Sequence, residues 1–361
     1  MRELLFIRSC QLSKEKQLMK WFKYLIAYLG PASLGLGLYL HGGWSWSTLV
    51  LLFVILPTVE WILPVFDKNL KPSLSAKLEA EKIYDWVLYG NLPLLWVLVF
   101  WFAHTISTAE LLPLEYVGLT IGLGIVLGSF GINVAHELGH RLNNWDQWMA
   151  RLLLLPALFM RFTIEHNYGH HKYVATELDP ASAEKGLAVY KFIPGSFIGT
   201  WKGAYDIENR RLKRTYGKLK PFKNKVILFE VAQLVYLLIM ALLFNWLVVP
   251  FLIASALIGI TLLEVVNYIE HYGLRRKKLK EGRYETVGPS HSWNSSHLMS
   301  RLFLYELSRH PDHHQRAGKK YQVLDHIDES PQMPFGYPMM IILSLIPPLW
   351  FKIVDSRLPV D

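Results

Sequence analysis

Six long apolar stretches alternate with polar segments along the chain. They cover approximately residues 21–41, 46–66, 85–105, 113–136, 226–246 and 249–271. Each is close to the roughly 20 residues that an α-helix needs to cross the hydrocarbon core of a bilayer. The pattern therefore predicts an all-α, polytopic membrane protein with six transmembrane helices. We expect one integral-membrane domain over residues 1–361, with a kink in the first helix at Pro31.

The composition supports a membrane protein, and the cysteine count excludes redox modules built on cysteine. Of the 361 residues, 52% are hydrophobic and 19% are charged, whereas soluble domains average roughly 25% charged residues. Cys10 is the single cysteine, which excludes a disulfide framework and any built-in iron–sulfur, rubredoxin-type or zinc-ribbon module. Any electron carrier must therefore be a separate protein. Residues 1–20 lack the apolar core of a secretory signal peptide.

The lysine and arginine positions predict the orientation. With six helices and a cytoplasmic N-terminus, all 38 of these residues fall in tails, loops or helix ends on the cytoplasmic side. The three opposite loops contain none, as the positive-inside rule requires. Both termini and a helical cap are then expected in the cytoplasm. The basic stretches at 185–225 and 275–280 are interpreted as surface facing anionic lipid, or as a dock for an acidic electron-transfer partner. No nucleic-acid partner is expected.

Histidines form the candidate chemistry, because nine of the fourteen lie at or just beyond the ends of apolar stretches. They are His136, His140, His166, His170, His171, His271, His310, His313 and His314. Residues three or four apart share one face of a helix, so each motif is expected to aim its imidazoles at one point. Nine ligands are too many for one ion, which takes about four to six. The sequence thus predicts two metal ions, with zinc, copper and iron all compatible with the ligand type.

Carboxylates and amides near these histidines are candidate acceptors for the second ring nitrogen of each ligand. The predicted acceptors are Glu137, Glu165, Asn167, Glu264, Asn267, Glu270 and Asp312. Glu177 and Asp179 are further candidates. We interpret His291 and His297 as hydrogen-bonding groups. The remaining three histidines, His41, His104 and His326, are expected to be interfacial or solvated.

Two other functions must be weighed against a paired-metal enzyme. Residues 136–140 match the H-E-x-x-H signature of zinc proteases, in which the glutamate is the general base, but that site leaves the other histidine clusters unexplained. A metal transporter would spread its ligands through the membrane depth, whereas here all of them are predicted at one end of the helices.

At this point the sequence resembles the membrane alkane hydroxylases (alkane 1-monooxygenases), within the membrane di-iron desaturase and hydroxylase class. The segments that carry the resemblance are 136–141, 165–171, 267–274 and 308–314, together with 291–295, 321–324 and 330–334. The 267–274 segment resembles the box that separates alkane hydroxylases from ordinary desaturases. Pro311 departs from the family, in which serine is more usual at that position.

The resemblance implies a specific activity. The family uses O2 to convert the terminal methyl of medium- or long-chain n-alkanes to 1-alkanols in the bacterial inner membrane. It implies that the nine histidines bind two iron ions, and that electrons come from NADH through a reductase and rubredoxin. Phe53, Trp61 and Trp96 are candidates for the substrate channel. The alternative is a xylene-type or fatty-acyl hydroxylase or desaturase of the same class.

Overall fold

The computed structural model describes residues 19–359, and Cys10 lies outside this range. Five helices are long and apolar enough to cross a membrane. We label them α1 to α5 in chain order: Gly42–Ile62, Ile83–Thr108, Pro113–Gly139, Lys225–Leu243 and Val248–His271. All of the described regular structure is helical apart from isolated bridges. The all-α membrane prediction is therefore confirmed.

The count of six spans is not confirmed. The first predicted span forms a 3-10 stretch, Met19–Tyr28, followed directly by an α-helix, Leu29–Leu40, and it is not among the five. The change of helix type falls beside Pro31, which lacks the backbone N–H that a continuous α-helix would use. The other predicted boundaries lie within a few residues of those observed.

Helix α3 is the centre of the bundle. Within its most apolar stretch 83% of the residues are buried, whereas the figure for α4 is 22%. It packs closely on α5 because small residues face each other. A side chain at Gly124 would meet Ile258 and the carbonyl of Ser255. The Ser255 hydroxyl also donates to the carbonyl of Thr120 at 3.0 Å. Close packing of this kind is what holds helices together in lipid, and it brings the ends of α3 and α5 side by side.

Polar and amphipathic segments cover the histidine-bearing ends of the spans. The longest is the amphipathic helix Val189–Tyr216, which buries a stripe of every fourth residue from Phe192 to Leu212. Its Trp201 and Tyr205 both donate to the carboxylate of Glu230 on α4. The remaining described α- and π-helices are short: Pro72–Ala80, Asn144–Leu154, Phe162–Glu165, His166–His170, His171–Tyr173, Leu298–Phe303, His310–Gln315, Tyr337–Ser344 and Pro347–Val354.

Candidate metal centre

The nine predicted histidines lie together as two adjacent clusters. The first cluster contains five residues, His136, His140, His166, His171 and His313, and the second contains four, His170, His271, His310 and His314. Within each cluster the ligand atoms all lie within 4.8 Å of one another. The rings of His171 and His314 connect the clusters, with centroids 4.4 Å apart. Distant parts of the chain thus converge as the sequence predicted.

The expectation that each motif aims at one point is correct only for the first motif. His136 and His140 stand four residues apart at the end of α3, and their Nε2 atoms are 3.3 Å apart. Both belong to the first cluster. The second and fourth motifs instead divide their histidines between the clusters.

A π-helical turn divides the second motif. Residues His166–His170 are π-helical, and the N–H of His171 donates to the carbonyl of His166. Because this bond joins residues five apart, the Nε2 atoms of His166 and His171 meet at 3.0 Å, and His170 turns to the second cluster. Gly169 suits this turn, since a Cβ there would collide with the carboxylate of Glu165.

The fourth motif lies on the short helix His310–Gln315. His313 approaches His171 of the first cluster, with 3.1 Å between their Nε2 atoms. His310 and His314 face the second cluster, with 2.9 Å between theirs. Pro311 occupies the first turn of the helix, where its missing N–H breaks no bond, so this departure from the family pattern fits the fold.

The protonation of the clusters favours metal binding. Burial lowers the pKa of six imidazoles outside the spans well below the ordinary value, and neighbouring imidazoles lower it further; they are those of His140, His166, His171, His310, His313 and His314. These rings are therefore neutral at pH 7, the form that ligates metal. Several Nε2 atoms then converge without enough donors to pair them, and the buried Nε2 of His170 has no partner at all among the described residues. A cation satisfies such a set of lone pairs.

Two contacts from residues outside the clusters orient ligand rings. Asp179 lies 2.9 Å from Nδ1 of His170, and the backbone carbonyl of His291 lies 3.2 Å from Nδ1 of His271. In each case the acceptor places the proton on Nδ1 and leaves Nε2 free for metal. The sequence could not predict this role of the His291 carbonyl, because every residue has a backbone carbonyl.

Glu270 was predicted to support a ligand from outside the clusters, but its carboxylate lies beside the Nε2 atom of a cluster histidine. Its Oε2 is 3.3 Å from Nε2 of His310, and its Oε1 accepts a 2.7 Å hydrogen bond from the Tyr337 hydroxyl. This carboxylate is therefore positioned beside the second cluster itself. Tyr337, which holds it, was not identified from the sequence.

The other candidate acceptors bond elsewhere. Within residues 19–359, no hydrogen bond joins them to an imidazole. Glu137 binds Arg141, Asn167 binds the carbonyl of Gly139, Asp312 binds Arg316 and Lys319, and Glu264 binds Ser196 and Asn267. Burial, with the charges of Asp179 and Glu264, raises the pKa of Glu165 well above its ordinary value.

The zinc protease alternative loses its general base in this arrangement. The Glu137 carboxylate pairs with Arg141 at 3.1 Å and accepts from the Tyr321 N–H at 3.4 Å. Its two histidines belong to a five-imidazole cluster. The transporter alternative also fails its expectation, because the ligands gather in two clusters at the ends of the spans.

An apolar cavity runs from the membrane helices to the clusters. Leu52, Phe53 and Leu56 of α1 form part of its wall, and Leu262, Leu263 and Val266 of α5 form another part. It ends at His136 and His166 of the first cluster and at His310 and Glu270 beside the second. Of the three channel candidates, only Phe53 lines it. Trp61 is 84% exposed, and the Trp96 N–H donates to the carbonyl of Leu152.

Comparisons with known proteins agree with this geometry. The sequence profile of the fatty acid desaturase family matches residues 111–343. The chain is 36% identical to the alkane 1-monooxygenase of Acinetobacter baylyi over 308 residues, which is 85% of this chain and 75% of that protein. It is 36% identical to alkane 1-monooxygenase 2 of Pseudomonas aeruginosa over 339 residues, covering 92% and 90%. The xylene/toluene monooxygenase hydroxylase component of Pseudomonas putida is 30% identical over 340 residues, covering 92% and 86%.

Proposed function

This chain belongs to the fatty acid desaturase family, and we propose that it is a membrane-bound alkane 1-monooxygenase. The reaction hydroxylates the terminal methyl group of a medium- or long-chain n-alkane. It consumes O2, two electrons and two protons, and it gives a 1-alkanol and water. The similarity to alkane 1-monooxygenases over most of the chain supports this activity.

One observation carries the proposal: an apolar cavity, lined by residues of the membrane helices α1, α3 and α5, ends at histidines of both clusters. An alkane already dissolves in the bilayer and can enter such a cavity sideways. Burying a methylene from water is worth about 0.8 kcal/mol, but leaving lipid for a dry cavity gains little of that. The shape and length of the cavity therefore select the substrate and direct its methyl end toward the clusters.

We infer that the metals are two iron ions, one in each cluster. All nine ligands are neutral imidazoles, with the Glu270 carboxylate beside the second set. When bound, iron supplies the oxygen activation and electron transfer that organic side chains cannot perform. The chain itself holds the ions, fixes the ring orientations through Asp179 and the His291 carbonyl, and keeps water from the apolar cavity.

The electrons must come from a separate protein, and we propose rubredoxin, reduced by a rubredoxin reductase with NADH. The chain has no Cys-x-x-Cys motif of its own. An acidic carrier would be attracted to the basic segments on the histidine-bearing side. We place this side in the cytoplasm and the protein in the bacterial inner membrane, on the basis of the lysine and arginine distribution.

The test is hydroxylation by the purified protein in vesicles with reduced rubredoxin, O2 and either octane or hexadecane. We expect 1-alkanol only when iron is present. His310→Ala should remove activity and the iron of the second cluster, whereas the control His104→Ala, at an exposed residue in α2, should remove neither. Normal hydroxylation after chelation of the iron would contradict the proposal.

A second candidate is hydroxylation of an aryl methyl group, as favoured by the similarity to the xylene/toluene monooxygenase component. The same vesicles supplied with xylene would separate the two. A higher rate on xylene than on either alkane would favour this second function.

A further inference from the structure

A basic groove opens where α4 begins, apart from the metal clusters and the apolar cavity. Its cations are Arg210, Arg211 and Arg214 near the end of the helix Val189–Tyr216, and Lys225 at the start of α4. Ile164, Tyr168 and Ile207 form an apolar wall beside them. The groove therefore combines a cationic rim with a hydrophobic side, as an amphiphilic ligand requires.

Most of this positive charge has no partner within the protein. Glu208 is the only acid in the lining, and it pairs with Arg211. Arg211 is further occupied by the carbonyl of Lys223, at 3.0 Å. No ion pair forms at Arg210, Arg214 or Lys225 with any residue of the described range 19–359. Three exposed cations thus face one groove, and the fold itself does not neutralise them.

The neighbouring turn places the groove at the membrane surface. Phe222 is 92% exposed and Leu219 is 48% exposed, although both are strongly apolar. Lysines surround them, and the ammonium groups of Lys220 and Lys223 lie 4.5 and 4.9 Å from the ring of Tyr216. Apolar and aromatic side chains mixed with lysines next to a span are typical of the interfacial layer. The groove lies where lipid headgroups lie.

We propose that this groove binds the phosphate headgroup of an anionic phospholipid. The three unpaired cations attract the negative charge of a phosphodiester, and arginine suits phosphate oxygens because its N–H groups form a fork. The apolar wall can contact the glycerol and upper acyl chains. A lipid reaches the site directly from the bilayer, and for this reason we favour it over an acidic protein.

A lipid in this groove would contact the chain segment that carries the second histidine motif. Ile164 and Tyr168 flank His166, which belongs to the first cluster, and they form the wall of the groove. A bound lipid would therefore brace the segment that carries three of the nine histidines. We expect phosphatidylglycerol to raise the unfolding temperature of the protein and phosphatidylcholine to have little effect.

The test uses the full-length protein in detergent, with phosphatidylglycerol, phosphatidylcholine or inorganic phosphate added. Retained lipid is counted by native mass spectrometry, and unfolding is followed by circular dichroism. The groove variant is R210Q/R214Q/K225Q. Each cation near a membrane surface contributes roughly a fivefold gain in affinity, so we expect at least tenfold weaker retention of phosphatidylglycerol and loss of its thermal effect.

Two further variants make the result specific. K68Q/K77Q/K82Q removes the same charge from exposed positions before α2, on the same side of the membrane, and should behave as the wild type. R210K/R214K keeps the charge but loses the arginine fork, so its binding should lie between those of the wild type and the groove variant. A wild-type circular dichroism spectrum of the groove variant excludes misfolding as the cause of weaker binding.

Three outcomes would overturn the inference. Equal retention of phosphatidylglycerol by the wild type and the groove variant would show that the groove is not a lipid site. An equal thermal effect of inorganic phosphate would show a site for free anions instead. A groove variant that keeps its lipid but binds rubredoxin more weakly than the wild type would identify a protein dock. None of these measurements depends on the proposed hydroxylation.

Discussion

The Nδ1 atom of His170 lies 2.9 Å from a carboxylate oxygen of Asp179, and both side chains are buried. This contact fixes the ring so that Nε2 faces the second cluster. The Asp179 carboxylate is itself held by the hydroxyl of Ser182. A short loop after the second histidine motif thus orients one histidine of the candidate metal centre.

Asp179→Ala is expected to weaken metal binding in the second cluster by about 10- to 100-fold, the usual effect of losing such an acceptor. The measurement is metal content after dialysis against a graded series of chelator concentrations. Glu177→Ala, two residues away, is the control and should keep wild-type content. If the Asp179 variant also keeps it, the proposed orienting role is wrong.

His313→Ala and His314→Ala should act on different metal ions although the residues are adjacent. His313 belongs to the first cluster and His314 to the second. Each variant should lose its own ion first and retain most of the other. Metal analysis with a spectroscopic signature for each site, such as Mössbauer spectra of iron-57 protein, would distinguish them. Identical residual spectra from the two variants would contradict the division into two clusters.

Phe53→Ala should shift chain-length preference toward longer or bulkier alkanes by severalfold, because the ring forms part of the cavity wall. Rates on octane and hexadecane give the ratio. Trp61→Ala is the control, since this side chain is 84% exposed, and its ratio should not change.

The buried carboxylate of Glu306 should give the fold an acid-sensitive stability. Burial alone raises the pKa of Glu306, but the charges of Lys23, Arg301 and Arg309 outweigh burial and lower it to about 2, from an ordinary value of 4.5. Because the folded pKa is the lower one, the stabilisation is complete above pH 4.5 and is lost as the pH falls toward 2.

Glu306→Gln should therefore lower the unfolding temperature at pH 7 and flatten its dependence on pH between about 5 and 2. Arg301, whose Nε lies 2.6 Å from the Glu306 carboxylate, would lose its partner in a buried site, which commonly costs about 3–5 kcal/mol. Thermal unfolding in detergent over this pH range provides the measurement. Glu184→Gln, at a side chain 72% exposed, should retain the wild-type profile.

The sequence by itself determined the all-α membrane class, the approximate positions of five of the six predicted spans, and the nine histidines that the fold brings together. Apolar runs of spanning length have few alternatives in lipid, where every backbone group must be bonded within the segment. Neutral imidazoles at the ends of several such runs have few roles other than metal binding. These inferences depend on the chemistry of neighbouring residues, and for this reason they can be made from the sequence alone.

Only the tertiary structure decided how the nine histidines divide. In the π turn at His166–His170, residues five apart share a face, whereas in an α-helix residues four apart do so. The spacing of the histidines in the sequence does not predict this turn. The partners of His170 and His271 depend on loops that pack from elsewhere in the chain. Ring direction follows from backbone register and long-range packing together. For this reason the spacing predicted that these histidines converge, but not the cluster to which each belongs.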